Sequence, residues 1–416
     1  MKRLVKWFGG FAAVVVALLL FVGLYVQFTW DSPEARPALQ MTAPRDSVTV
    51  ARGEYIFKHS WQCWGCHAAS GDANAPPSGG RAFDLRSIGP GFGIFYSRNL
   101  TPDSATGLGA WTDGEIVQAI REGVRKDRHV LFPLMPVDWL KGISDQDALA
   151  VVAYLRSLPP VSNRVPDNRV SFVAKALIAF NVIKPIDPLT QPVVAPPPGM
   201  TVEYGRYVAS NLAGCADCHT PRNLQNGQFY LDSLLAGGSI PFGKEAGDPV
   251  YAFARNLRPD HGPGAPEWTE EQFLQAVTAG MRPDSTVLTL HMPYPYYKFL
   301  ADDDLRAIYV FLRSLSPIRR DVPQVEDSPE LKRATGAARG ALLFAARCRA
   351  CHGKEGAGAV PTNVKLAEVA ASMEDGDLRD FIASGQPNLK MPGFGKTLTR
   401  DELNDIVAYI RTWEKK

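Results

Sequence analysis

Three copies of one pentapeptide constrain this chain more than any other feature: Cys63-Trp64-Gly65-Cys66-His67, Cys215-Ala216-Asp217-Cys218-His219 and Cys348-Arg349-Ala350-Cys351-His352. All six cysteines of the 416-residue chain lie in them, so none remains for a structural disulfide. Two thiols one helical turn apart can form thioether bonds to the two vinyl groups of one porphyrin. The next residue then brings an imidazole to the iron as proximal ligand. Paired cysteines also bind zinc or act as redox dithiols. Zinc needs two pairs to converge, which three pairs cannot do evenly, and no βαβ pattern surrounds the motifs as a dithiol site would require. The pattern therefore predicts three covalently held haem c groups on Cys63, Cys66, Cys215, Cys218, Cys348 and Cys351, with His67, His219 and His352 on the irons.

A Met-Pro pair follows each motif: Met135-Pro136, Met292-Pro293 and Met391-Pro392, at 68, 73 and 39 residues from the motif histidine. The chain has eight methionines, and only these three precede proline. A thioether on the far side of the iron gives His/Met coordination and a raised reduction potential. A loop methionine is otherwise a gap-filler in a core; recurrence at matching places favours the ligand reading. His59, His129, His261 and His291 are the rival ligands, each otherwise a hydrogen-bonded or solvated surface group.

The units match beyond the ligands. Ser144-Asp145-Gln146-Asp147 and Thr399-Arg400-Asp401-Glu402 carry helix-start patterns of the capping-box type, and Asp302-Asp303-Asp304 stands at the matching place. The helices they open lead to Tyr154-Leu155-Arg156-Ser157-Leu158, Tyr409-Ile410-Arg411-Thr412-Trp413 and Phe311-Leu312-Arg313-Ser314-Leu315. Units one and two are closer to each other: Trp111 and Trp268, Gly123 and Gly280, and Met135 and Met292 are each 157 residues apart. Arg98-Asn99-Leu100 is echoed by Arg255-Asn256-Leu257. Each of these arginines is a candidate partner for a haem propionate. Helices are predicted at Glu115–Arg121 and Gln272–Ala279. The reading is mostly α, with three tandem units at 48–165, 200–318 and 334–416. A tether over 31–48, a linker over 166–199 and a polar linker over 316–335 join them. The 166–199 linker holds a short amphipathic helix that packs between domains or else docks on a partner or the membrane surface.

The N-terminus has Lys2, Arg3 and Lys6 before an uncharged apolar run from Trp7 to Trp30, 24 residues. Roughly 20 suffice to cross a bilayer, and the basic flank places the rest of the chain outside the cytoplasm. A signal peptide has a shorter apolar core and a small-residue cleavage site, so the run over 7–30 reads as a retained transmembrane anchor, with a signal segment as the alternative; either way the remainder is exported. With 45 basic and 43 acidic residues, a net of +2, and no long run of Lys or Arg away from the N-terminus, the sequence argues against nucleic acid as a partner.

Arg-Asn-Leu-x-Pro-Asp, the Trp-Thr-Asp/Glu helix start, Met-Pro and the closing Leu-Arg-Ser-Leu resemble the three-haem cytochrome c subunits of bacterial membrane-bound alcohol, gluconate, sorbitol and aldehyde dehydrogenases. The resemblance covers about residues 48–416 and is strongest in units one and two. It implies three class I cytochrome c-like domains and carries the family's ligands onto the Cys, His and Met residues named above. It further implies a periplasmic dehydrogenase partner bearing a flavin, quinone or molybdenum cofactor, and ubiquinone or an oxidase as acceptor. The family's usual attachment to the membrane is near the C-terminus, whereas the apolar run here is N-terminal. No catalytic residue is expected, since both axial positions of each iron are filled. The alternative is a tethered cytochrome that feeds a haem-copper oxidase or another respiratory complex. A multihaem peroxidase or gas sensor would need an open iron, and a module with haem only as a folding aid is a poor fit to three haems in series.

Overall fold

The computed structural model describes residues 2–34, 36–70, 72–86, 91–184, 186–224, 227–243, 248–259, 268–323, 325–357, 364–386, 388 and 391–413. The described chain is mostly helical and forms two compact units. Unit one holds residues 1–58 and 63–194; unit two holds 59–62, 195–224 and 228–416. The second compact unit thus takes in both the second and the third sequence repeat.

Unit one begins with α1 (Lys2–Thr29), whose apolar stretch Trp7–Thr29 is long enough to cross a membrane and is almost wholly exposed. The following segment is not a free tether. The amide of Glu34 donates to the carbonyl of Arg128 (2.9 Å), and Gln118 Nε2 donates to the carbonyl of Pro37 (3.0 Å). The Ala43 amide donates to Asp113 Oδ2 (3.0 Å), where Arg45 and Arg156 also bind. Burial pushes the Asp113 carboxyl up, but the Ala43 amide and the two guanidiniums outweigh it and hold it below its ordinary value. Gly114 lets this strap pass, since a Cβ there would lie 1.7 Å from the Leu39 carbonyl oxygen.

The rest of unit one comprises α2 (Ser47–Tyr55), α3 (Trp64–His67), α4 (Asp113–Glu122), α5 (Val137–Leu140), α6 (Asp145–Ser157) and α7 (Phe172–Ala179). A small antiparallel sheet pairs β1 (Ala82–Asp84) with β2 (Gly93–Tyr96), Phe83 opposite Phe95, and β2 with β3 (Arg169–Val170). Local sequence explains the helix starts. Thr112 and Glu115 form a full capping box on α4, and Ser144 Oγ accepts the Asp147 amide at the start of α6. Gly123 ends α4 in the left-handed conformation.

Unit two comprises α8 (Val202–Tyr207), α9 (Cys215–His219), α10 (Glu270–Ala279), α11 (Tyr294–Tyr297), α12 (Asp302–Ser314), α13 (Pro329–Arg333), α14 (Gly336–Arg347), α15 (Arg349–His352), α16 (Leu366–Ala371), α17 (Asp375–Ser384) and α18 (Arg400–Ile410). Thr269 with Gln272 and Thr399 with Glu402 complete capping boxes on α10 and α18. The segment read as a polar linker over 316–335 contributes a strand: β4 (Val250–Tyr251) pairs with β5 (Glu326–Asp327). A core of Leu343, Phe344, Leu378, Ile382, Phe394 and Ile406 takes in Val250 and Val287 from the second repeat.

One packing motif occurs three times. The helix before each cysteine pair crosses the closing helix at a glycine: α2 on α6, α8 on α12, α14 on α18. A Cβ on Gly53 would lie 1.8 Å from the Ala150 oxygen. On Gly205 it would lie 1.9 Å from the Ala307 oxygen, and on Gly340 1.9 Å from the Asp405 oxygen. In each case the next neighbour is the aromatic four residues on: Tyr154, Phe311 or Tyr409. Sequence reading passed over these glycines, although Gly53 and Gly205 both stand ten residues before the first motif cysteine.

Candidate functional site

Each cysteine pair sits on one turn of helix. The amides of Cys66 and His67 donate to the Cys63 carbonyl (3.2 and 2.9 Å), and those of Cys351 and His352 to the Cys348 carbonyl (3.1 and 3.0 Å). That turn sets both thiols on one side and the imidazole beside them. None of the six thiols is in a disulfide. Burial pushes Cys63, Cys215 and Cys348 up to about 12, and Cys218 higher still.

The first two histidines are held alike. His67 Nδ1 is 2.9 Å from the Arg98 carbonyl, and His219 Nδ1 is 2.7 Å from the Arg255 carbonyl. A carbonyl only accepts, so Nδ1 carries the proton and Nε2 presents a lone pair. Burial favours the neutral ring in all three motif histidines. His352 Nδ1 is buried with no hydrogen-bond partner among the described residues.

Arg-Asn-Leu therefore does three jobs in each copy. Its first carbonyl orients the histidine. Asn99 Nδ2 donates to the Val161 carbonyl (2.8 Å), as Asn256 Nδ2 does to Ile318 (2.7 Å), which pins the chain leaving the closing helix. The arginine head binds that same segment, Arg98 to the Pro166 carbonyl (3.0 Å) and Arg255 to the Val322 carbonyl (3.1 Å).

The methionine loops also correspond. Isolated bridges Val124–Val130 and Met281–Val287 precede them. The Val137 amide then closes on the Met135 carbonyl and the Tyr294 amide on the Met292 carbonyl, both at 2.8 Å. Met391 is half-buried and pairs with Gln386 through both backbone bonds, 2.8 and 3.0 Å. Beyond Met292, the Tyr297 hydroxyl donates to the Ala213 carbonyl (2.5 Å), two residues before Cys215. That bond sets the Met292 loop and the second motif on one wall.

Two stretches of the chain match families of known proteins. Residues 50–159 match the family model for cytochrome c, and residues 335–410 match that for cytochrome c oxidase, cbb3-type, subunit III. The chain carries cytochrome c domains. Over 99% of its length it is 29% identical to a nicotinate dehydrogenase subunit of Pseudomonas putida, of which it spans 34%. It is 28% identical, over 92% of its length and 84% of the relative, to the alcohol dehydrogenase (quinone) cytochrome c subunit of Gluconacetobacter polyoxogenes. The gluconate 2-dehydrogenase cytochrome c subunit of Pantoea cypripedii is 28% identical over 88% of the chain and 86% of the relative.

For a cytochrome c the donor set fits haem. The thiols form no disulfide, five of them half-buried and Cys66 exposed, and two imidazoles are turned by a main-chain carbonyl to offer Nε2. The rival histidines that are described have other neighbours. His129 Nδ1 lies 2.8 Å from Asp31, His291 Nε2 lies 3.1 Å from Asp248, and the His59 ring packs on Phe299 with centroids 5.0 Å apart. His261 lies outside the described residues.

Sequence reading singled out Arg98 and Arg255 but missed their companions, Arg125 and Arg282, which share the 157-residue offset. Arg98 is disfavoured as a cation first by burial and then by Arg125. Arg255 is disfavoured by burial. Arg282 is disfavoured by burial and by the charges of Arg255 and Arg347. Arg125 is also ion-paired with Asp127, which favours its cation, and the charge of Asp284 opposes the shift at Arg282.

Proposed function

We propose that this chain is a three-haem electron-relay subunit anchored by α1, with its bulk on the periplasmic side of the cytoplasmic membrane. It would take electrons from a dehydrogenase catalytic subunit and deliver them to quinone or a terminal acceptor. The carrying observation is the repeated motif helix whose histidine donates Nδ1–H to the carbonyl of an Arg-Asn-Leu arginine. Bound haem c supplies reversible one-electron chemistry at iron. In this reading the three domains span 48–165, 200–318 and 334–416, each with one cysteine pair. His67 with Met135, His219 with Met292, and His352 with Met391 would close both faces of each iron. Closed faces leave no open coordination position for substrate, so oxidation of the substrate belongs to the partner.

The relatives named as dehydrogenase cytochrome subunits support this reading. The match of residues 335–410 to a model named for an oxidase subunit favours the second one, delivery to a haem-copper oxidase. Purification of the full chain from its own membrane decides between them. A mass of protein plus three haems, with a dehydrogenase bound, is the expected result. Fewer than three covalent haems would overturn the relay, and a bound oxidase without a dehydrogenase would select the alternative.

Arg98 with Arg125, and Arg255 with Arg282, would neutralise haem propionates. Removing one positive charge near a haem favours its oxidised form. Arg255→Gln should therefore lower one midpoint potential, by on the order of 50 mV for a charge about 10 Å away at an effective dielectric near 20. A potentiometric titration in which all midpoints stay in place would refute that role.

A further inference from the structure

Helix α7 and the turn after it present apolar side chains outward. Phe172 is 55% exposed, Phe180 52%, Val182 42% and Val173 41%. Its other side is occupied: Ala174 is fully buried, and α7 packs against α1. The contact falls at the outer end of the apolar helix. The Tyr25 and Phe180 rings stack with centroids 5.5 Å apart. Lys175 Nζ lies 3.2 Å from Gln27 Oε1 and 4.9 Å from the Trp30 ring centre. Val26 is fully buried there, although nearly all of the remaining apolar stretch is exposed. The base of α1 is itself held, by Asp31 on His129 (2.8 Å), Glu34 on Arg128 and Arg36 on Glu122 (3.6 Å).

These fixed contacts set the depth of α7. If Trp7–Thr29 crosses a bilayer, residues 25–30 stand at its outer boundary, and α7 stands beside them. That boundary is where aromatic rings and the ends of lysine side chains are favoured. Short helices with one apolar face lie in the same layer. A helix projecting freely into water would gain nothing from four exposed apolar side chains, two of them phenylalanines.

We propose that α7 is a second membrane contact, an interfacial helix whose Phe172, Val173, Phe180 and Val182 enter the outer leaflet of a phospholipid bilayer beside the exit of α1. The inference rests on α1 spanning the membrane. It makes the anchorage of unit one two-pointed, so that unit cannot swing about the end of α1.

The test uses the full chain in vesicles of phosphatidylethanolamine and phosphatidylglycerol that contain a diazirine-bearing phospholipid. After photolysis, labelled peptides are mapped by mass. Label is expected in α1 and in the 172–183 peptide. It should be absent from the peptide around Val48, which is apolar and 78% exposed but lies on α2, which packs on α6. The triple variant F172E/F180E/V182E should reduce label in its 172–183 peptide at least tenfold while α1 labelling persists, its haem content reporting an intact fold. With α1 labelled, a wild-type 172–183 peptide no more labelled than the Val48 peptide would overturn the interfacial contact. An unlabelled α1 would instead overturn the span on which it rests, and the inference with it.

Discussion

Gly340→Ala is expected to force α14 away from α18 and to lose the third haem. An alanine in a helix interior ordinarily stabilises by about 1 kcal/mol over glycine. Here the sign reverses, because the new Cβ would sit 1.9 Å from the Asp405 oxygen and 2.9 Å from the Tyr409 Cβ. The nearest obstacle is backbone, which no rotamer change can clear, so one helix must move. Overpacking of this kind costs about 3 kcal/mol or more when the surroundings cannot yield. The third repeat has a small core of its own, and Cys348 follows Gly340 by eight residues on the same run of chain. Haem-to-protein ratio should fall from three to two, and the thermal transition should broaden. An alanine variant with three haems and an unchanged melting temperature would remove the helix crossing from this account. Gly53→Ala and Gly205→Ala face carbonyls at the same range and should each act on their own repeat.

Met292→Ala tests the axial ligands with the second large effect. The methionine lies in a turn closed by the Tyr294 amide, and Tyr297 bonds the chain just before Cys215, so the loop should keep its place when the side chain is cut back. Loss of the thioether should remove about a third of the methionine–iron absorption band and allow carbon monoxide to bind one haem equivalent. The midpoint of that haem should fall by on the order of 0.1 V or more, within the roughly 0.8 V that axial ligation spans. If the band is unchanged in the purified variant, Met292 is not the ligand. Met135→Ala and Met391→Ala apply the same test to the other two repeats.

Helix starts were legible because a cap is local: Thr112 with Glu115, Ser144 with Asp147 and Thr399 with Glu402 bond across three residues. The 157-residue offset likewise exposed the paired repeats, and it carried Arg125 and Arg282 unread. The strap over 34–45 was read as a tether because its anchors, Asp113, Gln118 and Arg128, lie 70 to 94 residues downstream and nothing in Ala43 or Pro37 announces them. Helix α7 was legible as a short amphipathic helix, but its protein partner was not: it packs on the end of α1, some 150 residues upstream.

By itself the sequence determined where the thiol pairs, imidazoles and Met-Pro thioethers stand, since these are side-chain identities at short or repeated spacings. Only the tertiary structure decided which main-chain carbonyls turn His67 and His219, and which helices meet at Gly53, Gly205 and Gly340. Every residue carries the same carbonyl, and a glycine is marked only by what touches it, so neither choice exists until distant elements have packed.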